Sequence, residues 1–221
     1  MAKKRLAVLI SGRGTNLQSL IDAAAAPGYP AEIALVISNR PEAPGLERAQ
    51  KAGIETLVID HLPFGKGKAA REAFDAELSK ALTAASVDYV CLAGFMRLLT
   101  AGLVEAWSGK LINIHPSLLP AFKGLDVHQR MIDAGVKIAG CTVHFVSAEM
   151  DSGPIIGQAA VAVLPGDDAA MLAERTLKEE HRLYPACVKL LSEGKARLAS
   201  SGVVEFNADV EAGAPLLNPM A

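Results

Sequence analysis

Cysteine is scarce in this chain of 221 residues: Cys91, Cys141 and Cys187 are the only three. Each sits in an apolar neighbourhood and none forms a C-x-x-C spacing, so neither a disulfide framework nor a zinc knuckle is expected, and a reducing, cytoplasmic compartment fits. Charge of one sign is equally short. Lys plus Arg number 22 against 24 Asp plus Glu, a formal net charge of −2, which leaves no electrostatic case for nucleic acid or an acidic membrane surface. Long apolar runs are missing too. The run at 6–10 ends at Ser11 and Gly12, too short for a signal-peptide core, and the stretch 87–107 is interrupted by Asp88, Arg97 and Glu105, which are expensive inside a bilayer. There is no G-x-S-x-G elbow, no H-E-x-x-H pair and no G-x-x-x-x-G-K-[ST] loop, and His61, His128, His144 and His181 show no metal-ligand spacing. What remains is a composition 51% hydrophobic and 21% charged, enough to bury a core without metals or disulfides.

Short β-rich runs alternate with Ala-rich amphipathic segments: strands at 6–11, 32–38 and 55–60, each followed by a helix, at 15–26, 44–52 and 66–85. The rhythm continues with a strand at 89–93, a helix near 101–107 and a strand at 110–115. Strands without polar alternation are covered on both faces, so the class is α/β with a doubly wound, mostly parallel, Rossmann-like sheet. Two longer strand-like runs at 138–146 and 155–163 flank the turn-rich Asp151-Ser152-Gly153-Pro154 and form a C-terminal strand pair. A long helix at about 168–191 begins after Pro165-Gly166-Asp167-Asp168, where carboxylates meet unpaired N–H groups, and ends at Glu193-Gly194. We expect a single domain over 1–194 and an extension over 195–221 that packs on it or is partly disordered. Within the extension one short strand is expected at 202–206, and Gly213-Ala214-Pro215 and Asn218-Pro219 read as loosely ordered.

Three constellations can carry chemistry. Ser11-Gly12-Arg13-Gly14-Thr15-Asn16 lies where a buried strand hands over to a helix, a place where glycines either make a tight turn or let backbone N–H groups approach a phosphate, the reading that the position after the first parallel strand favours. The third glycine of a dinucleotide fingerprint is replaced by Leu17, which disfavours NAD. Asn113 and His115 alternate onto one side of a strand that ends in Pro116-Ser117-Leu118-Leu119-Pro120. An amide donor and an imidazole side by side can stabilise an oxyanion and move a proton, or can be a satisfied buried pair. Asp151 matters only if it reaches His115; otherwise it is turn chemistry. Met96, Arg97, Leu98 and Leu99 follow a strand's carboxyl end and are either plain core with a surface Arg or a pocket wall, which forms at such ends. Of Lys66, Lys68 and Arg71, at most one is expected to clamp an anion, the others making a solvated helix face.

Together, 10–17, 92–97, 113–120 and 143–146 with 151–154 resemble the folate-dependent formyltransferases, and the glycine loop narrows this to the phosphoribosylglycinamide formyltransferases; the resemblance runs in order over roughly 5–191. It implies a Rossmann-like formyltransferase fold and transfer of the formyl group of 10-formyltetrahydrofolate, a cosubstrate, to the amine of glycinamide ribonucleotide in de novo purine biosynthesis, with no metal. It implies a catalytic trio of Asn113, His115 and Asp151, and a phosphate held at Gly14, Thr15 and Asn16 with the ribose at Glu180. The folate then lies against Arg71, Met96, Arg97, Leu98, Leu99 and Asn113, and against the loop from Val146 to Asp151. Partners are small molecules only, with the chain a monomer or homodimer. Two departures stand out. Thr15 replaces the usual Ser and keeps its hydroxyl, and Asp126 stands where many members carry His. From Lys195 onward the resemblance is poor. Related enzymes that formylate methionyl-tRNA or deformylate the folate normally carry an added RNA-binding or regulatory domain, for which no segment is seen.

Overall fold

The computed structural model describes residues 2–211, 213, 214, 216 and 218. Their strands hydrogen-bond in the order β3-β2-β1-β4-β5-β6-β7, with β1 Lys4–Ile10, β2 Ala31–Ser38, β3 Thr56–Val58, β4 Tyr89–Leu92, β5 Leu111–His115, β6 Ile138–Phe145 and β7 Ile155–Ala162. The chain forms two compact units, one of residues 1–113 with 146–148 and one of 114–145 with 149–221.

In the first unit β1 pairs in parallel with both β2 and β4, and β3 and β5 extend the ladder in parallel on either side. Leu6, Ala7, Val8, Leu9 and Ile10 are all fully buried, as a central strand covered on both faces must be. The chain builds outward from β1 to β3 and then returns to place β4 on the other side of β1. That reversal is a topological switch point, beside which open sheets form ligand crevices at the strands' carboxyl ends. Helices α1 Thr15–Ala25, α2 Gly45–Lys51, α3 Lys68–Ala84 and α4 Ala101–Ala106 flank the strands. Phe74, Leu78 and Leu82 of α3, spaced by four, are fully buried and join Leu9, Ile37, Val90 and Trp107 in one core. Each contributes roughly 1.5–3 kcal/mol of burial.

The second unit holds the antiparallel pair β6–β7, the short α5 Val127–Asp133 and the long α6 Ala169–Ser192. Asp168 caps α6, its carboxylate accepting from the Met171 N–H at 2.8 Å, as the acidic start signal predicts. A small core gathers Val127, Met131, Ala139, Val161 and Leu172. The expected terminal strand appears as β9 Val204–Phe206, paired with β8 Ala196–Leu198, a three-residue strand too short to read from periodicity. Pro215 and Pro219, part of the segment read as loosely ordered, lie outside the described residues. Asn218 donates to Lys137 O at 2.6 Å and Val163 O at 3.0 Å. Among the described residues no helix is long and apolar enough to cross a membrane.

Candidate active site

The switch point of the first unit opens into a cavity of about 720 Å³. Its floor is the turn from β1 to α1. Gly14 is left-handed there, at φ 68°, and an added Cβ would stand 2.8 Å from the Gly45 Cα, so only glycine fits. The Gly45 N–H donates to Gly12 O at 3.0 Å and the Arg48 Nε–H to Arg13 O at 2.9 Å, which pins the loop from behind. Helix α1 has no side-chain cap and no acidic residue in its first turn, leaving its N-terminal dipole unopposed by a local carboxylate.

The walls come from the ends of β2, β3 and β4. Asn39 and Arg40 follow β2, His61 follows β3, and Met96, Arg97 and Leu98 follow β4, with Arg71 contributed by α3. The lining thus includes Arg13, Arg40, Arg71 and Arg97 and no carboxylate, an electropositive cleft suited to an anionic ligand. The Arg97 guanidinium lies 4.2 Å from the Phe74 ring centroid. Burial, chiefly, draws its pKa below the ordinary value, with the Arg71 charge acting in the same direction and Asp75 opposing. Met96 and Leu98 are 71% and 57% exposed and offer an apolar rim that a flat heteroaromatic group can cover. Leu99 and Val146 instead pack against the core of the first unit. Lys66 and Lys68 are exposed, so of that basic cluster Arg71 alone lines the cavity.

In the second unit His115 meets Asp151. The imidazole is 7% exposed and its Nδ1 lies 3.4 Å from Asp151 Oδ2, so two residues far apart in sequence share one site. His115 Nε2 is 3.0 Å from Phe122 O; a carbonyl only accepts, so Nε2–H donates and Nδ1 is the nitrogen left to work. The 3.4 Å gap exceeds a charge-assisted hydrogen bond, so Asp151 does not tie up Nδ1 with a short bond. Asp151 is itself left-handed at φ 51°, and its Oδ2 accepts from the Gly124 N–H at 2.9 Å. Its Oδ1 lies 4.0 Å from His144 Nε2. Burial pushes the His144 pKa down and outweighs the Asp151 carboxylate and the Phe145 carbonyl, which pull it up. His144 is thus neutral at pH 7, and His115 is the imidazole nearer to Asp151.

Thr142 holds the loop that follows His115. Its hydroxyl donates to Ser117 O at 2.7 Å and accepts from Leu119 N at 3.0 Å and from Gln158 Nε2 at 3.0 Å. Asn113 sits two residues before His115 on β5, on the same face of the strand. His128, on α5, has a buried Nε2 with no hydrogen-bond partner, and its pKa is lowered by burial first and by the nearby His115 second. Asp126 starts α5 in a left-handed conformation without capping it. Glu180 is 7% exposed and lies on the packed stripe of α6 with Leu172, Thr176, Tyr184 and Val188. Burial, chiefly, drives the Cys141 and Cys187 thiols up to about 12, with Glu180 adding to the shift at Cys141, so neither is a nucleophile.

Asn39, Arg40 and His61 escape a sequence reading of the site. The signal that finds them is position at the carboxyl ends of β2 and β3, usable only once strand order places those ends around β1. Among the described residues no group of three or more His, Cys, Asp or Glu is arranged to hold a metal ion.

The first unit thus carries a switch-point cleft rich in arginine, and the second a histidine beside an aspartate, features at home in an α/β enzyme. The formyl transferase family model matches residues 4–188, and the chain belongs to that family. It is 43% identical over 195 residues to phosphoribosylglycinamide formyltransferase of Haemophilus influenzae, covering 88% of this chain and 90% of that protein. The crystal structure of glycinamide ribonucleotide transformylase 1 from Symbiobacterium toebii superimposes with a TM-score of 0.87 at 48% identity, over 92% of this chain and 94% of that one. Trifunctional purine biosynthetic protein adenosine-3 of Drosophila melanogaster is 52% identical over 199 residues. The match covers 89% of this chain but only 14% of that relative, so the chain spans a small part of the trifunctional protein's length.

Proposed function

We propose that this chain transfers the formyl group of 10-formyltetrahydrofolate to the amine of glycinamide ribonucleotide, giving N-formylglycinamide ribonucleotide and tetrahydrofolate. This is a step of de novo purine biosynthesis, carried out in the cytoplasm by residues 1–194 acting as one formyltransferase domain. The observation that carries the reading is the His115–Asp151 contact at 3.4 Å: the two residues that the family resemblance pairs in catalysis lie side by side.

The amine attacks the formyl carbon, a C–N bond forms, and the carbonyl electrons move to oxygen. His115, its ring fixed by Nε2–H to Phe122 O, donates Nδ1–H to that oxyanion, and the Asn113 amide donates beside it. Asp151 supports the imidazolium and relays the proton lost by the amine. The bond from the formyl carbon to the folate nitrogen then breaks, and that nitrogen leaves protonated. Gly14, Thr15 and Asn16 hold the ribonucleotide phosphate and Glu180 its ribose. Arg71 and Met96 to Leu98 receive the folate, with Leu99 and Val146 supporting that wall and Asn113 and Asp151 reaching the formyl group.

The test follows the absorbance of 10-formyltetrahydrofolate with and without glycinamide ribonucleotide, for wild type and His115→Ala. Loss of formyl folate that requires the ribonucleotide and collapses in the variant supports transfer. Loss without the ribonucleotide makes the chain a hydrolase, and no turnover makes it a binding protein.

A further inference from the structure

The side chain of Ser11 is 5% exposed and bonded in two directions. Its hydroxyl donates to Asn39 Oδ1 at 2.6 Å and accepts the backbone N–H of Met96 at 2.8 Å. Asn39 is 3% exposed, and its backbone carbonyl receives His61 Nδ1 at 2.7 Å. Because that carbonyl only accepts, His61 carries its proton on Nδ1 and locks the Asn39 backbone. A continuous chain of bonds therefore runs from the end of β3, through the end of β2, to the glycine loop and on to the turn after β4. That turn presents Met96, Arg97 and Leu98 to the cavity. The Met96 N–H ties the turn to the glycine loop through a side chain, that of the first residue of the loop.

We propose that Ser11 is a positioning residue that holds the folate-binding wall in register with the phosphate-binding loop, so that a ribonucleotide ordering the loop also orders the wall. The inference rests on the functional reading above. Ser11→Ala removes both bonds and leaves the Asn39 oxygen and the Met96 N–H unpaired. It raises KM for 10-formyltetrahydrofolate roughly tenfold, the factor carried by about 1.4 kcal/mol, and leaves KM for glycinamide ribonucleotide within about twofold. The tightening of a non-transferring formyl-folate analogue by saturating ribonucleotide, present in wild type, is lost. Ser11→Thr, which keeps the hydroxyl, restores both. If Ser11→Ala does not fold, Asn39→Ala, which removes the Ser11 acceptor and the amide nitrogen 3.2 Å from His61 Nδ1 but keeps the bond from Met96 N–H to Ser11, moves the folate KM in the same direction by a smaller factor. Equal changes in the two KM values, or a fall in kcat with both KM values unchanged, overturn the proposal. A wild type that shows no ribonucleotide-dependent transfer defeats the functional reading and this inference with it. Transfer by wild type with no KM split in the variants defeats the inference alone.

Discussion

Gly14→Ala separates a designed anion loop from an ordinary tight turn. The alanine has to hold φ 68°, at a cost of roughly 1–2 kcal/mol for an L-residue in the left-handed region. Its Cβ also lands 2.8 Å from the Gly45 Cα. Backbone, unlike the tip of a side chain, cannot step aside, and overpacking of this kind costs typically 1–3 kcal/mol. The total, about 2–5 kcal/mol, lowers Tm by roughly 5–15 °C for a chain of this size. Gly12→Ala is the internal control. It lies two residues away in the same loop, with nothing within 4 Å of an added Cβ, so it is expected to change stability by no more than about 0.5 kcal/mol. Thermal melts of the two variants, followed by ribonucleotide titration, check the argument. Gly14→Ala melts well below Gly12→Ala and binds glycinamide ribonucleotide at least about tenfold more weakly, because α1 can no longer start where its N–H groups face the phosphate. Equal melting temperatures, or a Gly14→Ala variant with unchanged ribonucleotide affinity, refute the assignment of the loop.

Three further outcomes follow from the second unit. Asp151→Asn keeps an oxygen for the Gly124 N–H and removes the charge beside His115 Nδ1, so kcat falls roughly 10²–10⁴-fold, the range of general acid–base catalysis, with both KM values nearly unchanged in steady-state assays. Thr142→Val preserves shape but strands Ser117 O and Leu119 N, and chemical denaturation registers a loss of about 2–4 kcal/mol. His144 and His128 both have pKa values lowered from 6.5. The unfolded chain therefore takes up their protons first, and the stability they contribute is complete above about pH 6.5 and lost as pH falls through the folded values. Tm between about pH 8 and 5 falls more steeply for wild type than for His144→Gln.

Where sequence and structure agree, the signal is local. The apolar run of β1 followed by glycines announced a buried strand meeting a helix, and alternation on β5 put Asn113 and His115 on one face. What stayed hidden is tertiary. Asp151 follows a different strand from His115, and no local pattern encodes their contact. Asn39, Arg40 and His61 reach the cavity only through strand order. Helix α5 escaped because the chain enters it through a left-handed Asp126 that does not cap it, a geometry without a sequence signature of its own. Glu180 is the reverse case: the spacing by four of Leu172, Thr176, Tyr184 and Val188 puts it on the packed stripe of α6, where a carboxylate stands out once the stripe is drawn.

Following the formyl carbon itself tests the central claim most directly. With 10-formyltetrahydrofolate labelled with ¹³C at the formyl carbon, wild type is predicted to deliver the label to the amine nitrogen of glycinamide ribonucleotide as an amide, detected by NMR, with none released as formate. Label appearing as formate, with or without the ribonucleotide, contradicts the account.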